Sequence, residues 1–149
     1  MSEVRSQTYV EDVTVGQDLP TAVKNASRTQ LFLYSAATWN PHRIHYDRDY
    51  ARVEGQPDVL VHGPLQGAWL TQYVTEWAGP QGRLVAASWQ HRGSAYPEVD
   101  YELKGRVVAV DPETGEVTIE VWEQTLDGQR LMPGRAVVRL PGGRREAAG

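Results

Sequence analysis

The sequence predicts an α+β fold in which an antiparallel sheet wraps around one long apolar helix. Two observations carry this. Residues 64–77 put Leu65, Ala68, Trp69, Tyr73 and Trp77 on one side at spacings of three and four, the period of a helix with one buried face. After Arg83 the chain reads as strand-like runs at about 83–92, 99–110, 116–125 and 130–140, parted by turn residues. Within the third run Val117, Ile119 and Val121 alternate with polar positions, so that strand turns one face to a core and one to water.

Taken in order, charged and small residues dominate both ends, and residues 1–7 and 142–149 are expected to be unstructured tails of a single domain spanning 1–149. Pro20–Ser27 alternates enough for a short strand. Ser27-Arg28-Thr29-Gln30 then has the pattern of a capping box, opening a helix from about Thr29 to Thr38 with Leu31, Leu33, Tyr34 and Ala37 as its apolar face. Asn40-Pro41 ends it, because the residue before a proline is pushed out of helical geometry. Residues 40–62 are irregular and polar, with a turn of helix around Asp49–Val53, and hold three of the four histidines. The long helix runs from Pro64 to Trp77, with proline in its first turn and Gly79-Pro80 as its stop. Pro112-Glu113-Thr114-Gly115 and Asp127-Gly128 supply the later turns.

Composition removes several function classes. A chain of 149 residues can bury roughly 70% of the surface its unfolded form exposes, so it needs no disulfide or metal to fold. The absence of cysteine excludes thiolate metal sites and cysteine nucleophiles. A net charge of −4 gives no general reason to bind nucleic acid. No stretch approaches a membrane span, and Met1-Ser2-Glu3-Val4-Arg5 lacks the apolar run of a signal peptide; the expectation is a cytoplasmic protein.

One stretch is specific. Tyr34-Ser35-Ala36-Ala37-Thr38-Trp39-Asn40-Pro41-His42-Arg43-Ile44-His45-Tyr46-Asp47, followed by Val61-His62-Gly63-Pro64-Leu65, resembles the MaoC-like hydratase and dehydratase family. The resemblance covers most of the chain and implies a hot-dog fold. It also implies reversible addition of water across the 2,3-double bond of an enoyl thioester carried on coenzyme A or an acyl carrier protein, with no cofactor. The usual family motif has an aspartate five residues before a histidine. Here Asn40 stands five before His45, a departure similar to a branch that includes 3-hydroxyacyl-thioester dehydratases and mesaconyl-CoA-type hydratases. Tyr73–Pro80 also resembles the small hot-dog subunit of bacterial steroid side-chain hydratases.

The resemblance makes His45 the acid–base residue, and its chemistry agrees: hydration needs a base for the attacking water, a proton for C2, and donors for the developing enolate oxygen. An amide accepts no proton at neutral pH, so Asn40 is expected to orient the water. The oxyanion donors are expected from backbone amides at the start of the long helix, Gly63 first and Leu65 second, since Pro64 has no N–H. Trp39, His62 and Arg43 are further candidates for the substrate-binding walls, Trp39 for the acyl chain and Arg43, with Arg48 and Arg52, for coenzyme phosphates.

Plainer readings stand beside these. His42 is read as a residue that bonds its own loop. His42-x-x-His45 with His62 has the residue types of a metal site, but no carboxylate completes a set, and no metal is expected. Trp69 and Trp77 are read as core. Arg43, Arg48 and Arg52 also fit a solvated loop face. Thioester hydrolysis on the same fold needs a carboxylate at the helix after the loop, whereas Glu76 lies too far along it and Asp58 before it. A single hot-dog sheet leaves an edge open, so a homodimer or higher homo-oligomer is expected. A complex with a second hot-dog subunit, this chain being non-catalytic or partner-dependent, is the alternative.

Overall fold

A computed structural model describes residues 6–143. The strands are β1 (Ala22–Lys24), β2 (Arg83–Trp89), β3 (Tyr101–Asp111), β4 (Glu116–Thr125) and β5 (Arg130–Arg139). The helices are α1 (Arg28–Ala37), α2 (Arg48–Val53) and α3 (Gly63–Ala78), with 3-10 turns at Val10–Asp12 and Arg43–His45. The strands form one antiparallel sheet in the order β1-β3-β4-β5-β2. The connection from β2 to β3 therefore carries the chain from one edge of the sheet to the strand beside the other.

The sheet curls around α3, which touches β2, β3, β4 and β5. Its buried positions are Leu65, Gln66, Gly67, Trp69, Leu70, Tyr73, Val74 and Ala78. This corrects the expected stripe: Ala68 is exposed and Trp77 only partly buried, because a sheet curled around a helix meets more than one row of side chains. Leu70 and Val74 pack with Leu103, Ile119 and Val138 in the core. Each such side chain contributes roughly 1.5–3 kcal/mol by leaving water. Val117, Ile119 and Val121 are buried as their alternation requires, and the alternation runs one step further, to a fully buried Glu123.

Ser27 caps α1 by accepting the Gln30 N–H at 3.0 Å. The buried face of α1 is Leu31 and Ser35 with Tyr34 beside them, so the expected face is corrected at Leu33 and Ala37, which are exposed together with Phe32. The main neighbour of α1 is the 3-10 turn at Arg43–His45, and a narrow contact buries a narrow face. The first strand is also shorter than 20–27, since the chain leaves β3 after Lys24 to reach the Ser27 cap. Past Trp89 the β2 run becomes irregular, although the Gln90 and Arg92 N–H groups still donate to Pro133 and Leu131 carbonyls. Gly115 closes the β3–β4 turn at φ +74°, where a Cβ would lie 2.5 Å from the Leu140 carbonyl oxygen.

Of the ends expected to be unstructured, residues 1–5 and 144–149 lie outside the described residues. Gln7 and Gly143 depart from that expectation. The Gln7 side chain donates to the Ala78 carbonyl at 2.7 Å and accepts the Gln81 N–H, which ties it to the end of α3. The Gly143 N–H donates to Glu11 at 2.6 Å.

Candidate active site

The site is assembled from α1, the 42–62 loop and the start of α3. His42 caps the 3-10 turn by accepting the Ile44 N–H on Nδ1, and the turn presents His45. His45 Nδ1 lies 2.9 Å from the Leu60 carbonyl oxygen. A carbonyl only accepts, so Nδ1 carries the proton and the neutral ring keeps a bare Nε2. The His45 ring stacks on His62, with centroids 3.7 Å apart and planes at 17°.

His62 is wholly buried at the residue before α3. Its Nε2 meets Ser35 Oγ at 2.8 Å, its ring packs against Tyr34, and its Nδ1 has no partner. Burial, with His45 nearby, pushes the His62 imidazole down to about 4, so it is neutral at pH 7. His45 is also held below its ordinary value, chiefly by burial; the Leu60 hydrogen bond opposes this and His42 adds to it. Two stacked imidazoles cannot both charge cheaply in a desolvated pocket, which favours the neutral form of the His45 ring.

At the start of α3, the Gly63 and Leu65 N–H groups make no hydrogen bond among the described residues, and Pro64 has none to offer. The first helical bond is Gln66 N–H to the His62 carbonyl. Two orphan donors at the positive end of a sixteen-residue helix are suited to an oxyanion. The Leu65 side chain itself is in the core.

Asn40 is half-buried, its N–H bonded to the Ser35 carbonyl and its Oδ1 accepting the His42 N–H at 3.3 Å. Its Nδ2 is thus the polar group left over. Trp39 is 89% exposed at φ +53° and, with Phe32, Ala36, Pro41 and Tyr46, lines an apolar depression of about 180 Å³ that reaches Ser35. Arg43 donates from Nη2 to Asp47 at 2.6 Å and lies 4.7 Å over the Tyr50 ring, so its guanidinium is engaged within the loop. Asp58, one of two carboxylates weighed for hydrolysis, is held by Arg28 in a two-point pair that lowers it to about 2. The histidine rings stack face to face, and no cluster of three metal-ligating side chains occurs among the described residues.

Sequence reasoning missed Ser35 and Leu60, the anchors of the two rings, and the group Gln66, His91 and Glu123 beneath the helix start. Gln66 Nε2 donates to Glu123 at 2.9 and 3.1 Å, and His91 Nε2 lies 3.2 Å from Gln66 Oε1. A signal existed for two of them: Gln66 and Glu123 are polar residues at positions where the helical and alternating patterns demand apolar ones.

The family model of hydroxyacyl-thioester dehydratase type 2 matches residues 5–96. The chain belongs to that family. Two relatives similar to this chain are hydratases. A mesaconyl-C(4)-CoA hydratase of Chloroflexus aurantiacus is 56% identical over 43 residues, which span 28% of this chain and 15% of that enzyme's length. The 3-oxo-4,17-pregnadiene-20-carboxyl-CoA hydratase beta subunit of Mycobacterium tuberculosis is 28% identical over 107 residues, 72% of this chain and 81% of the subunit. Among solved structures, a MaoC-like dehydratase superposes with a TM-score of 0.84 at 25% identity, over 91% of this chain and 43% of that one. The fold of the chain is accordingly the hot-dog expected from the sequence, and no helix among its described residues is long and apolar enough to cross a membrane.

Proposed function

We propose that this chain adds water reversibly to the 2,3-double bond of an enoyl thioester, with His45 as both base and acid. The observation that carries the reading is the His45 tautomer: Nδ1–H is committed to the Leu60 carbonyl, and a bare Nε2 stands on a ring kept neutral by burial. Asn40 Nδ2 donates to a lone pair of the water and orients it without taking a proton. His45 Nε2 removes one water proton as the oxygen bonds to C3, and the π electrons move through C2 to the thioester oxygen. The Gly63 N–H, with Leu65 N–H as second donor, holds that enolate oxygen. The imidazolium then returns its proton to C2, which completes the 3-hydroxyacyl thioester and restores the base.

The depression under Trp39 fits an acyl chain, and a coenzyme A or carrier-protein arm fits the exposed end of the site. Arg43 would have to leave Asp47 to meet a phosphate there. β2 offers the long open edge of the sheet, and a two-fold pair of copies across it is the assembly proposed. One observation favours a second reading: the Mycobacterium relative is a beta subunit, so this chain working only within a complex with another hot-dog subunit is the alternative.

The test is loss of enoyl absorbance with a panel of 2-enoyl-CoAs, wild type against His45→Ala. The expected result is hydration that falls at least a hundredfold in the variant, the usual scale for removing a general base. A folded wild-type protein inactive on every substrate alone, and active once a second hot-dog subunit is supplied, would establish the partner-dependent reading.

A further inference from the structure

The fourth histidine, His91, takes no part in the hydratase mechanism. It is exposed just beyond β2, and its ring lies against the first residue of α3: a Cβ built on Gly63 would be 3.5 Å from His91 Cδ2 and 4.0 Å from Nε2. Its Nε2 is held by Gln66 Oε1, and the same amide's nitrogen is held by both oxygens of Glu123. Gln66 and Glu123 are wholly buried. An exposed imidazole beside the oxyanion donor is thereby connected, through a single amide, to a carboxyl group in the core.

We infer that His91 is a further polar group of the thioester site and that Glu123 positions it through Gln66. The inference rests on the hydratase reading for what binds at Gly63, and on the hydrogen bonds alone for the connection. An amide has one accepting and one donating end, so the chain has two self-consistent arrangements. With Glu123 ionised, Gln66 Nε2 donates to it, Gln66 Oε1 accepts, and His91 must carry its proton on Nε2. With Glu123 neutral, its O–H donates to Gln66 Oε1, the amide turns over, Gln66 Nε2 donates to His91 Nε2, and the imidazole proton sits on Nδ1. Nδ1 bonds to nothing among the described residues, so only the second arrangement gives the ring a free donor N–H, on the side away from the Cδ2 and Nε2 atoms that face Gly63. A thioester that extends past Gly63 along the ring would accept it.

The surroundings of Glu123 suit this role. Leu103 on β3 and Met132 on β5 stand opposite it in register, Gln66 reaches it from α3, and Tyr101 is the titratable neighbour on β3. With one amide as its hydrogen-bond partner, the carboxyl is pushed up by burial to about 7, so both arrangements are accessible near neutrality. His62, by contrast, has no bond into this group.

The full-length protein labelled with nitrogen-15 at histidine provides the test. The two ring-nitrogen shifts of His91 report the tautomer of the neutral ring through the ionisation of Glu123, without reference to activity. In wild type the balance should move from Nδ1–H to Nε2–H as pH rises. Glu123→Gln, which cannot ionise and whose amide can both donate and accept, should make the balance independent of pH. Gln66→Met, which keeps length and burial, should leave the tautomer indifferent to Glu123. A balance that is the same in wild type and both variants overturns the inference.

Kinetics on an enoyl-CoA then separates positioning from mere structure. His91→Ala should lower kcat about tenfold or more with KM less affected, as loss of one donor to a developing charge would. Glu123→Gln should lose the change in activity that accompanies ionisation of Glu123 in wild type. If His45→Ala remains fully active while the tautomer follows Glu123, the His45 mechanism fails and the connection stands. If His45→Ala is inactive while Glu123→Gln keeps the wild-type pH profile and tautomer balance, the connection fails and the mechanism stands.

Discussion

His62 and Glu123 are both wholly buried, and they link stability to pH with opposite signs. His62 is pushed from 6.5 to about 4 on folding, so between those values the unfolded chain binds the extra proton and stability falls as pH falls. Glu123 moves from 4.5 to about 7, so the folded chain binds the extra proton; its contribution is full below 4.5 and is lost as pH rises through 7. At 1.36 kcal/mol per unit, each is on the order of 3 kcal/mol, and between 4.5 and 6.5 the two largely cancel. Urea unfolding at pH 5 and 7 should therefore show little slope in wild type, a clear loss of stability at pH 5 in Glu123→Gln, and a gain at pH 5 in His62→Phe. Equal slopes in all three proteins would rule this assignment out. The lowered basicity of His45 has a kinetic counterpart: the acid limb of kcat/KM should lie below the ordinary histidine value of 6.5.

The elements depend on close approaches that side chains would block. The Trp89 ring of β2 lies over Gly67 of α3, and a Cβ there would come within 2.8 Å of three of its ring atoms. Gly67→Ala must displace Trp89 or part the helix from the strand, and an overpacked contact of this kind costs about 1–3 kcal/mol. The expected readout is a melting temperature lower by several degrees. Inside a helix alanine is otherwise favoured over glycine by about 1 kcal/mol, so a net loss at Gly67 reports the clash. Element positions were largely legible before folding, since period, caps and turn residues are local. The faces were less so. The buried stripe of α1 narrowed to Leu31 and Ser35, with Tyr34 partly buried, because its main neighbour is a short 3-10 turn, and no local pattern reports what lies behind an element.

At the scale of the molecule, the sheet ends on one side in three-residue β1 and on the other in seven-residue β2, which among the described residues pairs only with β5. Val85 and Trp89 on that edge are 46% and 40% exposed. An uncovered edge of this length invites another strand. Sedimentation equilibrium should give a mass at least twice the 16.6 kDa of the chain. A monomer that dimerises only with a second hot-dog subunit would favour the partner-dependent reading instead.

The sequence by itself determined the α+β architecture, the order of its elements and the region of the site, because hydrophobic period, capping and turn chemistry act over a few residues. Asn40, His45 and Gly63 could be singled out as candidates for the same reason: they lie in one short motif and at one helix start. Only the tertiary structure decided how the groups of that region are held. The carbonyl of Leu60 fixes the proton on His45, Ser35 holds the ring on which His45 stacks, and Glu123 reaches toward Gly63 through Gln66 and His91. These partners lie 15, 27 and 57 residues apart in pairs, and a hydrogen bond across such separations exists only once the core has brought its ends together.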